Sequence, residues 1–282
     1  MLFRSAYVGL ADAYNLMPTN SALSPKEAFP QAKAAATRAL AIDPSLAEAH
    51  AALATTLVLY EWNWTESERE YKKAIELNPN VADIHYYYGL SHLYATGRLD
   101  EGIREIKRGL ELEPLSIPMG ANIVQLYLAA GQKKQALEQA QKTYNLDPNH
   151  GGAISMLGFA YLENEMYAEA IALCEKTFQA DPSRQNLINV AGVAYAGTGQ
   201  RQKAEEMVAR YRELAKTQYV QHTRIATIYI AFADRDKAFA ELEQAFQEHE
   251  SQLWSLKVDP LFAPIRDDSR YKDLLKRMNL PE

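Results

Sequence analysis

The chain has 282 residues, 48% of them apolar and 23% charged, a globular composition that excludes disorder and low-complexity repeats. Lys and Arg number 30 against 36 Asp and Glu, so the net charge is −6 and the basic excess of a dedicated nucleic-acid binder is missing. One cysteine, Cys174, excludes an internal disulfide and a multi-cysteine metal site, and the longest apolar run, Ile228 to Ala233, falls far short of the ~20 residues of a membrane span.

Along the chain, five segments end alike: Ala41-Ile42-Asp43-Pro44, Glu76-Leu77-Asn78-Pro79, Glu111-Leu112-Glu113-Pro114, Asn145-Leu146-Asp147-Pro148 and Gln179-Ala180-Asp181-Pro182. The prolines recur at intervals of 35, 35, 34 and 34 residues. Proline cannot continue a helix and disfavours the helical conformation in the residue before it, so each marks a boundary between helices. Between them the apolar period is near 3.6, which predicts two helices per unit. The first helix carries a large residue, a pair ending in Ala or Gly, then tyrosine: Leu10-Ala11 with Tyr14, Leu157-Gly158 with Tyr161, Ala191-Gly192 with Tyr195, Ile225-Ala226 with Tyr229. The second repeats small residues, as in Ala32, Ala36 and Ala39, Ala136 and Ala140, and Ala170 and Cys174, so that helix axes can approach closely. Gly97, Gly131 and Gly199 fall between the two helices, where a left-handed turn is needed.

This pattern resembles the tetratricopeptide repeat, a 34-residue helix-turn-helix unit. The resemblance implies an all-α fold: a right-handed superhelical solenoid of about seven units with a C-terminal capping helix. The array is expected over residues 1–250, with units starting near Arg4, Ala47, Ala82, Ile117, Gly151, Gln185 and Tyr219. The first carries about nine extra residues around Pro18–Ala28, which would lengthen its inter-helix loop. Units two and three each carry one extra residue, and the last two have Lys216 and Glu250 in place of the proline.

Residues 251–282 are expected to form an extended tether and a closing helix that seals the seventh repeat. Ser269 would cap that helix, and Tyr271, Leu274, Leu275 and Met278 would form its apolar stripe. No polar capping helix precedes the first unit, so its outer face is expected to meet a partner or a second copy, or to continue into more protein. No secretory leader is read at the N-terminus, which sets a cytoplasmic expectation. Three segments, Leu256 to Phe262 with Asp267, Asp268 and Arg270-Tyr271, then Ser24 to Pro30, then Glu61 to Trp64, resemble those of bacterial regulators. In that group such an arm follows a winged-helix, kinase or cyclase-like domain.

Candidates for chemistry are few. His50, His85 and His222 share the fourth position of their repeats, which reads as packing. His85 and His92 are seven residues apart and could share an ion, yet His92 stands where a repeat tyrosine is expected. Gly197-Thr198-Gly199-Gln200 imitates a phosphate loop but lacks the third glycine and the following lysine, so a turn is expected. Cys174 reads as an inert core thiol. Glu48 and Asp83 sit in first turns, where they complement the helix dipole. Of Trp62 and Trp64, one is expected to anchor a turn against the neighbouring repeat and the other could be exposed. No enzyme activity, metal or cofactor is expected.

The family's inward-facing positions give a candidate groove of Tyr86, Leu90, Leu93, Gln125, Phe159, Leu162, Asn186 and Asn189, with Asp83 its one charge. It contains no Lys or Arg, so a clamp for a peptide's terminal carboxylate is not expected. The reading is a non-enzymatic scaffold that binds a peptide or protein in this groove, as a sensing or docking arm of a bacterial regulator, without direct contact to nucleic acid or membrane. The alternative is a structural spacer that self-associates through the N-terminal face.

Overall fold

The computed structural model describes residues 2–18, 23–181, 184 and 187–280, and the regular structure among them is all helical. Pro182 and the start of the sixth repeat near Gln185 lie outside the described residues. The chain divides into two units, Met1–Pro114 with Gln244–Val258 and Lys272–Glu282, and Leu115–Glu243 with Asp259–Tyr271.

The first unit contains three helical pairs: α1 (Leu2–Leu16) with α2 (Pro25–Ile42), α3 (Ala47–Thr56) with α4 (Trp64–Leu77), and α5 (Ala82–Tyr87) with α6 (Leu99–Leu112). The prolines act as their chemistry requires: Asp43, Asn78 and Glu113 leave the helix with ψ of 98°, 94° and 80°. The extra residues of the first repeat do not all lengthen the loop. Pro25–Ala28 form the first turn of α2, because Pro25 suits that place and the Ser24 N–H donates to Glu27 Oε2 at 3.1 Å in a capping box.

The extra residue of repeats two and three is absorbed inside the first helix. Each of these helices ends in a π-helical segment, Leu57–Glu61 after α3 and Tyr88–Leu93 after α5. The turn that follows shows this directly. Left-handed residues recur at Trp62, Gly97, Gly131, Glu165, Gly199 and Ala233. Trp62 and Gly97 stand one residue further from the starts of their repeats than the others do.

Trp62 and Trp64 are both buried, so the expectation that one could be exposed is corrected. Their partners come from the far end of the chain. Trp62 stacks on His249 (centroids 4.8 Å apart) and Phe246 (5.1 Å), and Trp64 Nε1 donates to the Met278 carbonyl at 3.0 Å. Trp254 meets the Tyr94 ring edge-on at 4.9 Å.

The second unit contains α7 (Ile117–Ala129) with α8 (Lys133–Leu146), α9 (Gly151–Glu163) with α10 (Tyr167–Ala180), α11 (Ile188–Gly197) with α12 (Arg201–Leu214), and α13 (His222–Ala231) with most of α14 (Arg235–Gln247). Ala136, Ala170, Ala204 and Ala238 hold the same place on successive second helices and are fully buried. First helices of neighbouring repeats meet at glycine: a Cβ on Gly158 would lie 2.8 Å from Val190, and one on Gly192 would lie 2.6 Å from Ile228. Cys174 is buried with its Sγ 3.7 Å from the Leu187 carbonyl, and burial pushes its thiol up to about 12, as suits an inert core residue.

The tail is not extended. It winds into 3-10 helices at Ser251–Ser255 and Pro260–Ile265 and ends in α15 (Ser269–Arg277). Asp268, rather than Ser269, caps α15: its Oδ1 accepts the Arg270 N–H at 3.0 Å. Within the second unit the Arg270 guanidinium lies 4.1 Å over the Phe239 ring and donates to Asp236 at 2.8 Å. Within the first unit Arg277 lies 3.8 Å over Phe246.

Candidate functional site

In the first unit, Asp12, Glu48 and Asp83 come from α1, α3 and α5, and the latter two act on Asp12. Burial, then Asp83 and Glu48, push the Asp12 carboxyl up to about 6. Burial also raises Asp83, and it pushes the Tyr87 hydroxyl up to about 12 with help from Asp83 and Asp12. The Tyr86 ring lies 4.7 Å from that of Tyr87. Among the described residues no hydrogen bond or ion pair neutralises these three carboxylates. The expectation of a single charge on this face is therefore corrected: Glu48 holds the same second position of its repeat as Asp83, and Asp12 holds the ninth position of the first repeat.

A buried polar network fixes the helices that carry these groups. Asn15 Nδ2 donates to the Ala52 carbonyl at 3.0 Å, and Thr56 Oγ1 donates to Asn15 Oδ1 at 2.8 Å. The Tyr71 hydroxyl from α4 lies 2.8 Å from Thr55 Oγ1 and 2.7 Å from Ser91 Oγ. A satisfied network of this kind holds one arrangement, because any slippage would leave buried polar atoms unpaired.

The raised Asp12 carboxyl should cost stability. A carboxyl whose midpoint is raised on folding keeps its proton longer in the folded state, so stability falls as pH rises from the ordinary 3.8 to about 6. Asp12→Asn is expected to gain about 1–2 kcal/mol at neutral pH, allowing for partial solvent screening, with the gain vanishing below about pH 4. Urea unfolding across that range measures it.

Tyr86, Leu93, Leu162 and Asn189 are buried, whereas Leu90, Gln125 and Phe159 are half-buried. Asn186 lies outside the described residues. Tyr86, Leu90 and Leu93 belong to the first unit, and Gln125, Phe159, Leu162 and Asn189 to the second. Leu93 shows what the π-helical turn does to the register. Its carbonyl accepts the Arg98 N–H at 2.9 Å, the bond that Tyr127, Tyr161, Tyr195 and Tyr229 accept from Gln132, Met166, Gln200 and Asp234. Leu93 thus occupies the tyrosine position, and counting from the repeat start misnumbers the end of this helix by one. Gln125 Nε2 donates to Asn122 Oδ1 at 3.1 Å, and the buried Asn189 Oδ1 has no hydrogen-bond partner.

The other candidates resolve individually. Gly199 has φ of 75° and a Cβ on Gly197 would meet the Tyr167 ring at 2.7 Å, which makes this segment a packed turn. His85 and His92 do not converge: His85 Nδ1 lies 2.6 Å from Glu105, and His92 Nδ1 lies 2.8 Å from Ser67 Oγ. Among the described residues no three His, Cys, Asp or Glu side chains are grouped to hold a metal ion, and no helix is long and apolar enough to cross a membrane.

Comparison with known proteins gives one family match: the tetratricopeptide repeat model matches residues 161–225. A comparison with curated proteins finds no match. Among solved structures, a tetratricopeptide repeat protein from Parabacteroides merdae is 13% identical with a TM-score of 0.61, and the alignment covers 98% of this chain and 99% of that one. The Cut9–Hcn1 hetero-tetramer of APC/C matches at 16% identity and TM-score 0.60, covering 89% of this chain and 52% of that one. The pilF protein of Pseudomonas aeruginosa matches at 24% identity and TM-score 0.54, covering 76% and 92%. At these identities the likeness is one of fold.

Proposed function

The chain is a tetratricopeptide repeat protein, and from that premise we propose that it is a non-enzymatic scaffold whose first helices capture a segment of a protein partner. The observation that carries the reading is the face of the first unit. Three carboxylates from three consecutive repeats, Asp12 and Glu48 half-buried and Asp83 exposed, stand there unneutralised, and Asp12 and Asp83 act on Tyr87, whose ring packs on Tyr86. A segment that brings Lys or Arg together with an apolar side chain would relieve the repulsion and cover the rings. The face is already formed and pinned by buried hydrogen bonds, so capture costs the receptor little ordering.

The second unit carries a candidate surface of its own, where the half-buried Phe159 and Gln125 would offer apolar contact and an amide to a bound main chain. The regulatory role, a docking arm, rests on the resemblance of the tail segments to those of bacterial regulators. Peptides selected from a display library against the protein test the reading. Tyr86→Ala and Phe159→Ala are expected to weaken their capture while the circular dichroism stays helical. Capture unchanged in both variants would refute the assigned face.

The alternative, self-association through the first repeat, draws on Leu10 and Leu16 of α1, which are 43% and 44% exposed. Light scattering at high concentration decides it, since a strict monomer rules the spacer out.

A further inference from the structure

His50, His85 and His222 recur at the fourth residue of their repeats. The structure gives each the same partner, a glutamate at one fixed place on the second helix of its own repeat. The Nδ1 distances are 2.5 Å to Glu70, 2.6 Å to Glu105 and 2.7 Å to Glu241. The two places change together within this one chain. Where the histidine is replaced, the glutamate is replaced too: Gly120 goes with Gln139, Ile154 with Leu173 and Ile188 with Met207. Packing of a large residue at the fourth position would not require that.

The other ring nitrogen reaches across a repeat junction. His50 Nε2 lies 3.0 Å from the Pro44 carbonyl and His85 Nε2 lies 2.9 Å from the Pro79 carbonyl, and these prolines end the preceding repeats. A carboxylate and a carbonyl can only accept. A neutral imidazole has one N–H to give, whereas an imidazolium has two. We infer that His85 is a proton-dependent latch: its charged ring ties the second helix of its own repeat to the end of the repeat before it, and loss of one proton releases one of the two ties; His50 is built on the same geometry.

The His85 latch has the fullest description. Glu105 of α6 favours the charged ring most and the Pro79 carbonyl after α4 adds to it, while burial and Arg108 of α6 oppose them. The balance lies above the ordinary 6.5. The latch is therefore intact below pH 6.5 and is lost as pH rises through the higher folded midpoint. His92, on the same first helix, works in the opposite sense. Burial pushes it down to about 4, against Glu68 and with Arg98 and Lys72, so its contribution is lost as pH falls below 6.5. The His85 latch is accordingly read on the alkaline side.

The test follows the ring Cε1–H resonance of His85 through a pH titration of the full chain, assigned by its absence from His85→Gln, in wild type and in Glu105→Gln. Urea unfolding of both at about pH 6 and about pH 8.5 accompanies it. The wild-type midpoint is expected above 6.5 and to fall in Glu105→Gln. The wild type should also lose more stability between the two pH values than the variant does. A wild-type midpoint at or below 6.5, a midpoint unmoved by the substitution, or equal stability losses would each overturn the latch.

Discussion

Replacing Trp62 with alanine is expected to destabilise the protein by about 3–5 kcal/mol, the range for removing a large aromatic from a packed site. The ring stacks on both Phe246 and His249, so its loss also loosens the segment around His249 from α3 and α4 of the first unit. The backbone adds a contrast. Trp62 has φ of 50°, a region that L-residues other than Asn and Asp rarely adopt, so the ring contacts must outweigh that strain. The indole N–H is buried without an acceptor, so Trp62→Phe, which keeps stacking and removes an unpaired donor, should cost far less than Trp62→Ala. Equal losses in the two variants, measured by urea unfolding, would contradict this account of the ring.

The second large effect is expected at Gly89. A Cβ there would lie 2.8 Å from the Gly102 carbonyl oxygen and 2.8 Å from Ile106 Cγ1. The first of these is backbone of α6 and cannot rotate away. Helix propensity alone favours alanine by about 1 kcal/mol, whereas overpacking a close contact costs about 1–3 kcal/mol and more when backbone must shift. Gly89→Ala should therefore destabilise, and Gly89→Leu should do so severely. Gly9 is the matched control: nothing lies within 4 Å of its hypothetical Cβ, so Gly9→Ala should stabilise by up to about 1 kcal/mol. Thermal or urea unfolding of the pair gives opposite signs if close approach sets the value of Gly89.

These two sites show what the sequence makes legible. The helical pairs were readable because proline, glycine and alanine act locally: a pre-proline residue leaves the helix, a left-handed turn takes glycine, a crossing takes a small side chain. The 35-residue spacing even betrays the extra residue of repeats two and three. It does not say that the residue is absorbed by a π-helical turn, and so it misnumbers Leu93. The partners of Trp62 and Trp64 were beyond reach for another reason. They lie some 200 positions away, at Phe246, His249 and Met278, and no period links the two stretches. Tyr271, Leu274 and Met278 were readable as a buried stripe, but the carbonyl that accepts the Trp64 N–H was not.

The candidate face divides in the same way. Register alone nominates Tyr86, Leu90 and Phe159. The same count puts Glu48 at the second place of its repeat, as it does Asp83, and Asp12 at the ninth place of the first, so the positions were legible and their effect on one carboxyl was not. Only when α1, α3 and α5 lie side by side do Asp12, Glu48 and Asp83 become neighbours. The histidines followed suit: a shared position suggested packing, and the glutamate that completes each pair sits some twenty residues on, in the second helix of the repeat.

Calorimetric titration of one display-selected peptide into wild-type protein and into the Asp12→Asn/Asp83→Asn double variant tests the central claim most directly. The account predicts that selection enriches peptides combining Lys or Arg with apolar residues, and that the double variant, still folded, binds them at least about tenfold more weakly, the loss of roughly 1.4 kcal/mol. Enrichment of acidic or neutral peptides, or equal affinity for both proteins, would contradict it.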